Sequence, residues 1–211
     1  MFASALFDQD QIFRFMSGIS AIELLFWTST LMFLNSSIMT PPSQYVCMAA
    51  GVISSHNNYS VSLIVMTATF ANFLGTIVWY ALGRAGLYTV ILNLPIFQHR
   101  FTKPYVRVLP YLHARFRSHG FLAMALWRLV PVVRSIVSLP AGDLATPLPL
   151  FTTASLIGIG MWCSFWTILG VWLGRLNPAI AGLAGLCLGL LAVTIFLFLT
   201  SRFPPEALKN G

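Results

Sequence analysis

Between Glu23 and Arg84 the chain carries no aspartate, glutamate, lysine or arginine. A run of that length cannot form the exterior of a water-soluble domain, where roughly a quarter of the residues are charged. Two more uncharged runs follow, from Asp143 to Arg175 and from Arg175 to Arg202. Each can hold a helix of about 20 apolar residues, the length that crosses a hydrocarbon core about 30 Å thick. Composition agrees: 57% of the 211 residues are hydrophobic and 8% are charged. The chain therefore reads as one all-α integral membrane domain with no soluble module. Its formal charge of +7 is dispersed through apolar sequence. That pattern fits membrane topology and anionic-lipid contact better than nucleic-acid binding.

Punctuation divides the runs into elements. Residues 1–18 interleave Phe2, Leu6, Phe7, Ile12, Phe13 and Phe15 with Asp8, Asp10 and Arg14, an amphipathic segment suited to the membrane interface. A helix is predicted from Ile19 to Leu34. Asn35-Ser36-Ser37 and Pro41-Pro42 stop it, and Ser43 is placed to cap a second helix running to about Ser55. Two short apolar arms about a proline-broken polar middle predict a re-entrant hairpin over about 19–55, followed by a turn at His56-Asn57-Asn58. Ser60–Leu82 reads as a span closed by Gly83-Arg84, and Leu148–Leu173 as a second. Residues 177–203 hold a C-terminal transmembrane helix, Pro178–Thr200, and 204–211 are a tail. The connection 84–117 carries Arg84, Arg100, Lys103, Arg107, Arg115 and Arg117 with no acid. The positive-inside rule places it, and the C-terminus, in the cytoplasm.

The segment from about 120 to 142 is of another kind. It is apolar enough to enter a bilayer, yet it holds Arg128 and Arg134 and is interrupted at Pro131 and at Pro140-Ala141-Gly142. Proline removes a backbone donor and kinks or breaks a helix, so a straight crossing is not expected. A second re-entrant hairpin, turning at Pro131, fits better. Arginine at membrane depth costs several kcal/mol unless it faces a partner, water or a ligand. The alternative is an interfacial hairpin whose arginines snorkel to the headgroups.

The two halves echo each other. Ala50-Gly51 and Ala141-Gly142 are 91 positions apart, as are Leu82-Gly83-Arg84 and Leu173-Gly174-Arg175. Each half reads as a proline-broken hairpin, Ala-Gly, one span, then Leu-Gly-Arg. With one crossing between them, the hairpins enter from opposite faces, the pattern of transporters built as inverted repeats. Gly170/Gly174 and Gly185/Gly189 are pairs that allow close helix contact. Cys47, Cys163 and Cys187 lie in apolar runs without CxxC spacing, which argues against a disulfide framework. His99, His113 and His119 lack metal-ligand spacing, and no cofactor is expected.

Arg128-Leu-Val-Pro131-Val-Val-Arg134-Ser135, followed by Pro140-Ala141-Gly142, resembles the arginine signature of the DedA family, also called the VTT or SNARE-associated Golgi protein family. Phe33-Leu34-Asn35-Ser36-Ser37 with Pro41-Pro42-Ser43-Gln44, the stretch from Gly75 to Arg84, and His119-Gly120 match further family motifs in order. The likeness runs from roughly Glu23 to Arg175. It departs at Asn35, Gln44 and Thr76, which stand where the family usually has carboxylates. The resemblance implies a membrane domain over 19–176 with two facing re-entrant hairpins, about three spanning helices and interfacial helices. It also implies residence in the bacterial cytoplasmic membrane and movement of undecaprenyl phosphate or phospholipid between leaflets.

The residues themselves agree with a phosphate-bearing amphiphile. Arg128 and Arg134 offer planar forks suited to phosphate oxygens. Asn35, Ser36, Ser37, Ser43 and Gln44 offer neutral hydrogen bonds from the opposing tip. Asp143 could pair with Arg134, meet an ammonium headgroup, or cap the helix that begins near Leu148. Pro42, Pro131, Pro140 and Gly142 are expected to shape the turns. Membrane lipids are thus the expected partners of a flippase or scramblase, with a homo-oligomer left open. An ion- or proton-coupled transporter of small solutes is the alternative. An intramembrane enzyme ranks lowest, because neither tip carries a His/Asp pair or a metal cluster.

Overall fold

The computed structural model describes residues 16–38, 42–87, 90, 121, 124–126, 128, 134, 137–176, 191 and 194. Their secondary structure is all helical: α1 Ala21–Ile38, α2 Ser43–Asn57, α3 Val61–Arg84, α4 Ser138–Asp143 and α5 Leu148–Leu176. The N-terminal segment, most of the basic connection, Pro131 and the C-terminal span expected at 178–200 lie outside the described residues. Three helices, Ala21–Ile38, Val61–Arg84 and Leu148–Arg175, are long and apolar enough to cross a membrane. At 1.5 Å per residue, the 24 residues of α3 extend about 36 Å.

Large apolar side chains line the outside. Met66, Phe70, Leu74 and Val78 on α3, and Met161, Phe165, Ile168 and Trp172 on α5, are all exposed. Recurring every three or four residues, they form one stripe per helix. The opposite faces bury Ala68, Phe73, Tyr80, Phe151, Ala154, Ile159, Trp162 and Trp166 in a single core. Apolar outside and apolar inside is the pattern of a helix seated in hydrocarbon.

Several boundaries differ from those expected. The first helix runs through Asn35 and Ser36 to Ile38, because tertiary contacts hold its last turn: Trp79 Nε1 donates to the Ser36 carbonyl at 2.9 Å. Ser43 does not cap α2. Pro42 is the N-cap residue and makes no side-chain cap bond, while Ser43 Oγ accepts from Trp162 Nε1 at 3.1 Å. α2 runs past the expected end at about Ser55 to Asn57, and the turn comes at Asn58, the last of the three expected turn residues, whose φ of 55° is left-handed. There Asn57 Nδ2 donates to the Met16 carbonyl and Tyr59 Oη to the Ile19 carbonyl. These bonds place the start of α1 and the end of α2 side by side.

Pro140 and Gly142 do not form a turn. Both lie within α4. Pro140 is its third residue, where a missing N–H costs no intrahelical bond. The chain turns afterwards, at Ala145, with φ 53°. Gly142 serves a different end. A Cβ there would run into the Tyr80 carbonyl, and one at Gly83 into the Leu139 carbonyl. The α2–α5 contact has the same form: a Cβ at Gly51 would strike the Thr167 carbonyl, and one at Gly170 the Met48 carbonyl. In both contacts the short arm supplies a residue and a glycine three positions on, and so does the span. The span register is set at Gly170 rather than at Gly174, which packs one turn further along against Val52 and Ser55.

Candidate functional site

Arg128 and Arg134 lie in the protein interior, 1% and 6% exposed. Snorkelling arginines would keep their heads at the surface, and these do not. The two sites differ in their supply of partners. Arg128 Nη2 donates to Ser155 Oγ at 2.7 Å and to Ser138 Oγ at 3.0 Å, and Nη1 to the Arg134 carbonyl at 3.3 Å. Its guanidinium carbon stands 5.4 Å from the centre of the Phe151 ring. The α5 surface leaves room for it at Gly158, where a Cβ would meet the Arg128 side chain at 2.9 Å. Arg128 therefore joins α5, the start of α4 and the backbone at Arg134.

Arg134 reaches the other way. Its Nη2 donates to Asn35 Oδ1 at 2.5 Å, and its guanidinium carbon lies 5.1 Å from the centre of the Trp162 ring. Nη1 is buried without a hydrogen-bond partner, as are Ser36 Oγ and Ser37 Oγ. The acceptor at Arg134 is thus an amide, so the guanidinium charge is not neutralised by Asn35. A guanidinium presents five N–H donors in a rigid fork, and the described bonds of Arg134 use only one arm of it.

The structure joins two of the expected residues to Arg134 and buries others with no described bond to it. Asn35 is joined to Arg134 directly, and Ser43 through Trp162. Ser36 and Gln44 are buried, and Ser37 is half-buried. Thr76 is buried and donates to the Phe73 carbonyl within its own helix. Asp143 is exposed at the last position of α4. It does not serve as the acceptor that Arg134 finds in Asn35.

Trp162 was not among the residues expected from sequence. Its indole N–H holds Ser43 of α2 while its ring lies against Arg134. One of six tryptophans in an apolar chain gives no signal of such a role before the helices are placed.

A family model for the VTT domain matches residues 40–172. "Undecaprenyl phosphate transporter A" of Staphylococcus aureus is 26% identical over 132 residues, which is 63% of this chain and 65% of the relative. An "Alkaline phosphatase-like protein" of Lactococcus lactis is 25% identical over 177 residues, 78% of this chain and 81% of the relative. "Protein DedA" of Escherichia coli is 25% identical over 179 residues, 80% of this chain and 79% of the relative. The chain thus spans about two thirds of the length of the S. aureus protein. No solved structure matches it. Membrane-spanning helices and bacterial relatives support a bacterial inner-membrane protein. With the family model matched over more than half of its length, the chain belongs to the VTT-domain family, the DedA membrane proteins.

Proposed function

We propose that this protein moves lipids with a phosphate headgroup, undecaprenyl phosphate or a phospholipid, between the leaflets of the bilayer. One observation carries the reading. Arg134 is a buried cation with an uncharged acceptor, an aromatic face and one nitrogen still unpartnered. A phosphate oxygen would accept from that nitrogen, and the charged bond would contribute about 1.5–3 kcal/mol. Asn35, Ser36, Ser37, Ser43 and Gln44 offer neutral hydrogen bonds around the headgroup. Arg128 acts on the substrate through the Arg134 carbonyl that it holds.

The hydrocarbon tail stays on the lipid side. A groove of about 710 Å³ between α3 and α5, lined by Met66, Phe70, Leu74, Leu156 and Gly160 among others, is almost wholly apolar. It supports an amphiphilic substrate over a water-soluble one. The name of the S. aureus relative points the same way.

The architecture proposed is an inverted repeat within residues 19–176. The hairpin over about 19–55 enters from the face where Ile19 and Tyr59 meet. The one over about 120–142 enters from the opposite face, where α4 ends beside Gly83. The matched glycine contacts of α2 with α5 and of α4 with α3 support it. Segments 1–18, 177–203 and 204–211 are then additions to that domain, and the 84–117 connection faces the cytoplasm.

A coupled small-solute transporter would use carboxylates within the membrane. Among the described residues the acids are Glu23, exposed and bonded to Ser20, and Asp143, exposed on α4. Neither lines the Arg134 site. The phosphatase-like name of the Lactococcus relatives finds no metal-holding group of three His, Cys, Asp or Glu among the described residues.

The test is purified protein in liposomes, with headgroup accessibility followed for undecaprenyl phosphate and for several phospholipids separately. Arg134→Lys keeps the charge and loses the fork, so translocation should fall about tenfold to a hundredfold, matching 1.5–3 kcal/mol. Folded yield should be unchanged. Lipid movement at the native rate in both Arg134→Lys and Arg134→Ala would remove the site from the mechanism.

A further inference from the structure

We propose that Trp166 and Gly174 form a second seat for α2, one helical turn further along α5, and that α2 moves between the two seats. The inference rests on the inverted-repeat reading and deepens it by naming the moving part. In the seat occupied here, a Cβ at Gly170 would strike the Met48 carbonyl and one at Gly51 the Thr167 carbonyl. In the other half, a Cβ at Gly83 would strike the Leu139 carbonyl and one at Gly142 the Tyr80 carbonyl. The arm residues correspond across the 91-position repeat, Met48 to Leu139 and Gly51 to Gly142. The span residues do not. Gly83 and Tyr80 correspond to Gly174 and Val171, whereas α2 is seated at Gly170 and Thr167. α2 thus sits four residues, about one turn, short of the register that α4 adopts on α3.

Two features of α5 recur after that turn. Met48 packs at Gly170 and Val52 at Gly174, so the two helices run in the same direction and α5 carries a glycine at either seat. On α3 the position one turn before Gly83 is Trp79, which offers α4 no such choice. The second feature is polar. Ser43 Oγ accepts from Trp162 Nε1 at 3.1 Å, and Trp166 Nε1, one turn on, is buried without a partner. The two indole rings are 5.6 Å apart, close to the helix pitch of about 5.4 Å. A slide of one turn would pass the Ser43 hydroxyl from one indole to the next, breaking one hydrogen bond and forming one. The Met48 carbonyl would move to Gly174 and the Gln44 carbonyl to Gly170. Small residues let helix backbones approach this closely, and a one-turn ratchet of packed elements joins two discrete states. Asn57 Nδ2 and Tyr59 Oη hold the present seat through the Met16 and Ile19 carbonyls, which makes it the major one. The moving helix carries Ser43 and Gln44, so the slide would alter the surroundings of the headgroup.

The experiment measures the distance between spin labels introduced through His56→Cys and Arg84→Cys in the full chain in detergent, with Cys187→Ala. Both labelled residues are exposed, while Cys47 and Cys163 are buried. α2 and α3 run antiparallel, so the slide carries His56 away from Arg84. A major distance and a minor one about 5 Å longer should be seen. Trp162→Phe removes the bond of the present seat and should raise the minor share about fivefold; Trp166→Phe removes that of the second seat and should lower it about fivefold. Trp166→Phe breaks no bond of the present seat, so it keeps the fold whatever Trp162→Phe does. Gly174→Ala should abolish the longer distance. Its Cβ stands 3.0 Å from Val52 Cα in the present seat, which a small shift relieves, and would strike a carbonyl in the second. A single distance, both in the native chain and in Trp162→Phe combined with Tyr59→Phe, would overturn the second seat. So would a longer distance that survives Gly174→Ala, or the same response to both tryptophan changes. Distances are read without lipid movement, so their outcome is separate from that of the transport reading.

Discussion

Arg128 and Arg134 are six positions apart in sequence and share the protein interior, but their surroundings are built differently. Arg128 has two serine hydroxyls and a backbone carbonyl as acceptors, while Arg134 has one amide oxygen. Placing an arginine at the centre of a membrane helix costs about 3 kcal/mol on insertion scales. Three bonds from a charged donor, at about 1.5 kcal/mol or more each, exceed that cost. One such bond with a cation–π contact of about 1 kcal/mol roughly equals it. Arg128 is thus held at three points with its Nε unpartnered, and Arg134 at one point with its Nη1 unpartnered. Burial marks both; the acceptor count tells them apart.

The largest expected effect tests that division. Arg128→Ala strands Ser138 and Ser155 in the core and releases the Arg134 backbone, at a cost of roughly 3 kcal/mol or more. Folded yield and thermal midpoint in detergent should drop clearly. Arg134→Ala should leave both nearly unchanged while lipid movement is lost. Equal losses of stability in the two variants would erase the distinction.

Trp162 sharpens the comparison at a smaller scale. Trp162→Phe keeps an aromatic face against Arg134 and loses the N–H bond to Ser43, worth about 1 kcal/mol, so translocation should fall roughly fivefold. Trp162→Leu removes the face as well and should cost about the same again. Phe and Leu variants as active as the native protein would reduce Trp162 to packing.

The spans were legible because missing charge is a property of sequence alone. Val61–Arg84 and Leu148–Leu176 lie close to the runs that contain no charge. The arginine site was legible in part, since a guanidinium in an apolar segment needs a reason wherever it folds. Contacts between distant residues were not. Asn35 and Ser36 look like a helix stop until Trp79 and Arg134 bond to them. Ser43 has the chemistry of a cap, but Trp162 takes its hydroxyl. Pro140 and Gly142 look like a turn, whereas the helix tolerates one in its first turn and uses the other to meet Tyr80. In each case a long-range partner overrode the local preference.

The smallest effect expected is none at all, and it concerns energy coupling. A proton-driven carrier needs a group that exchanges a proton within the membrane, usually a carboxylate with a raised pKa. Asn35, Gln44 and Thr76 occupy the buried positions and cannot do this, and an arginine keeps its proton. Asp143 is the remaining acid of the hairpin region, and it lies exposed at the end of α4, outside the Arg134 site. Lipid translocation in liposomes should therefore run down the lipid gradient at the same rate with and without an inward proton gradient, in the native protein and in Asp143→Asn alike. Strong stimulation by the gradient, abolished in Asp143→Asn, would show that Asp143 enters the site during the cycle. Arg134 would then meet a charged partner in one state and none in the other, and its difference from Arg128 would be a property of one conformation.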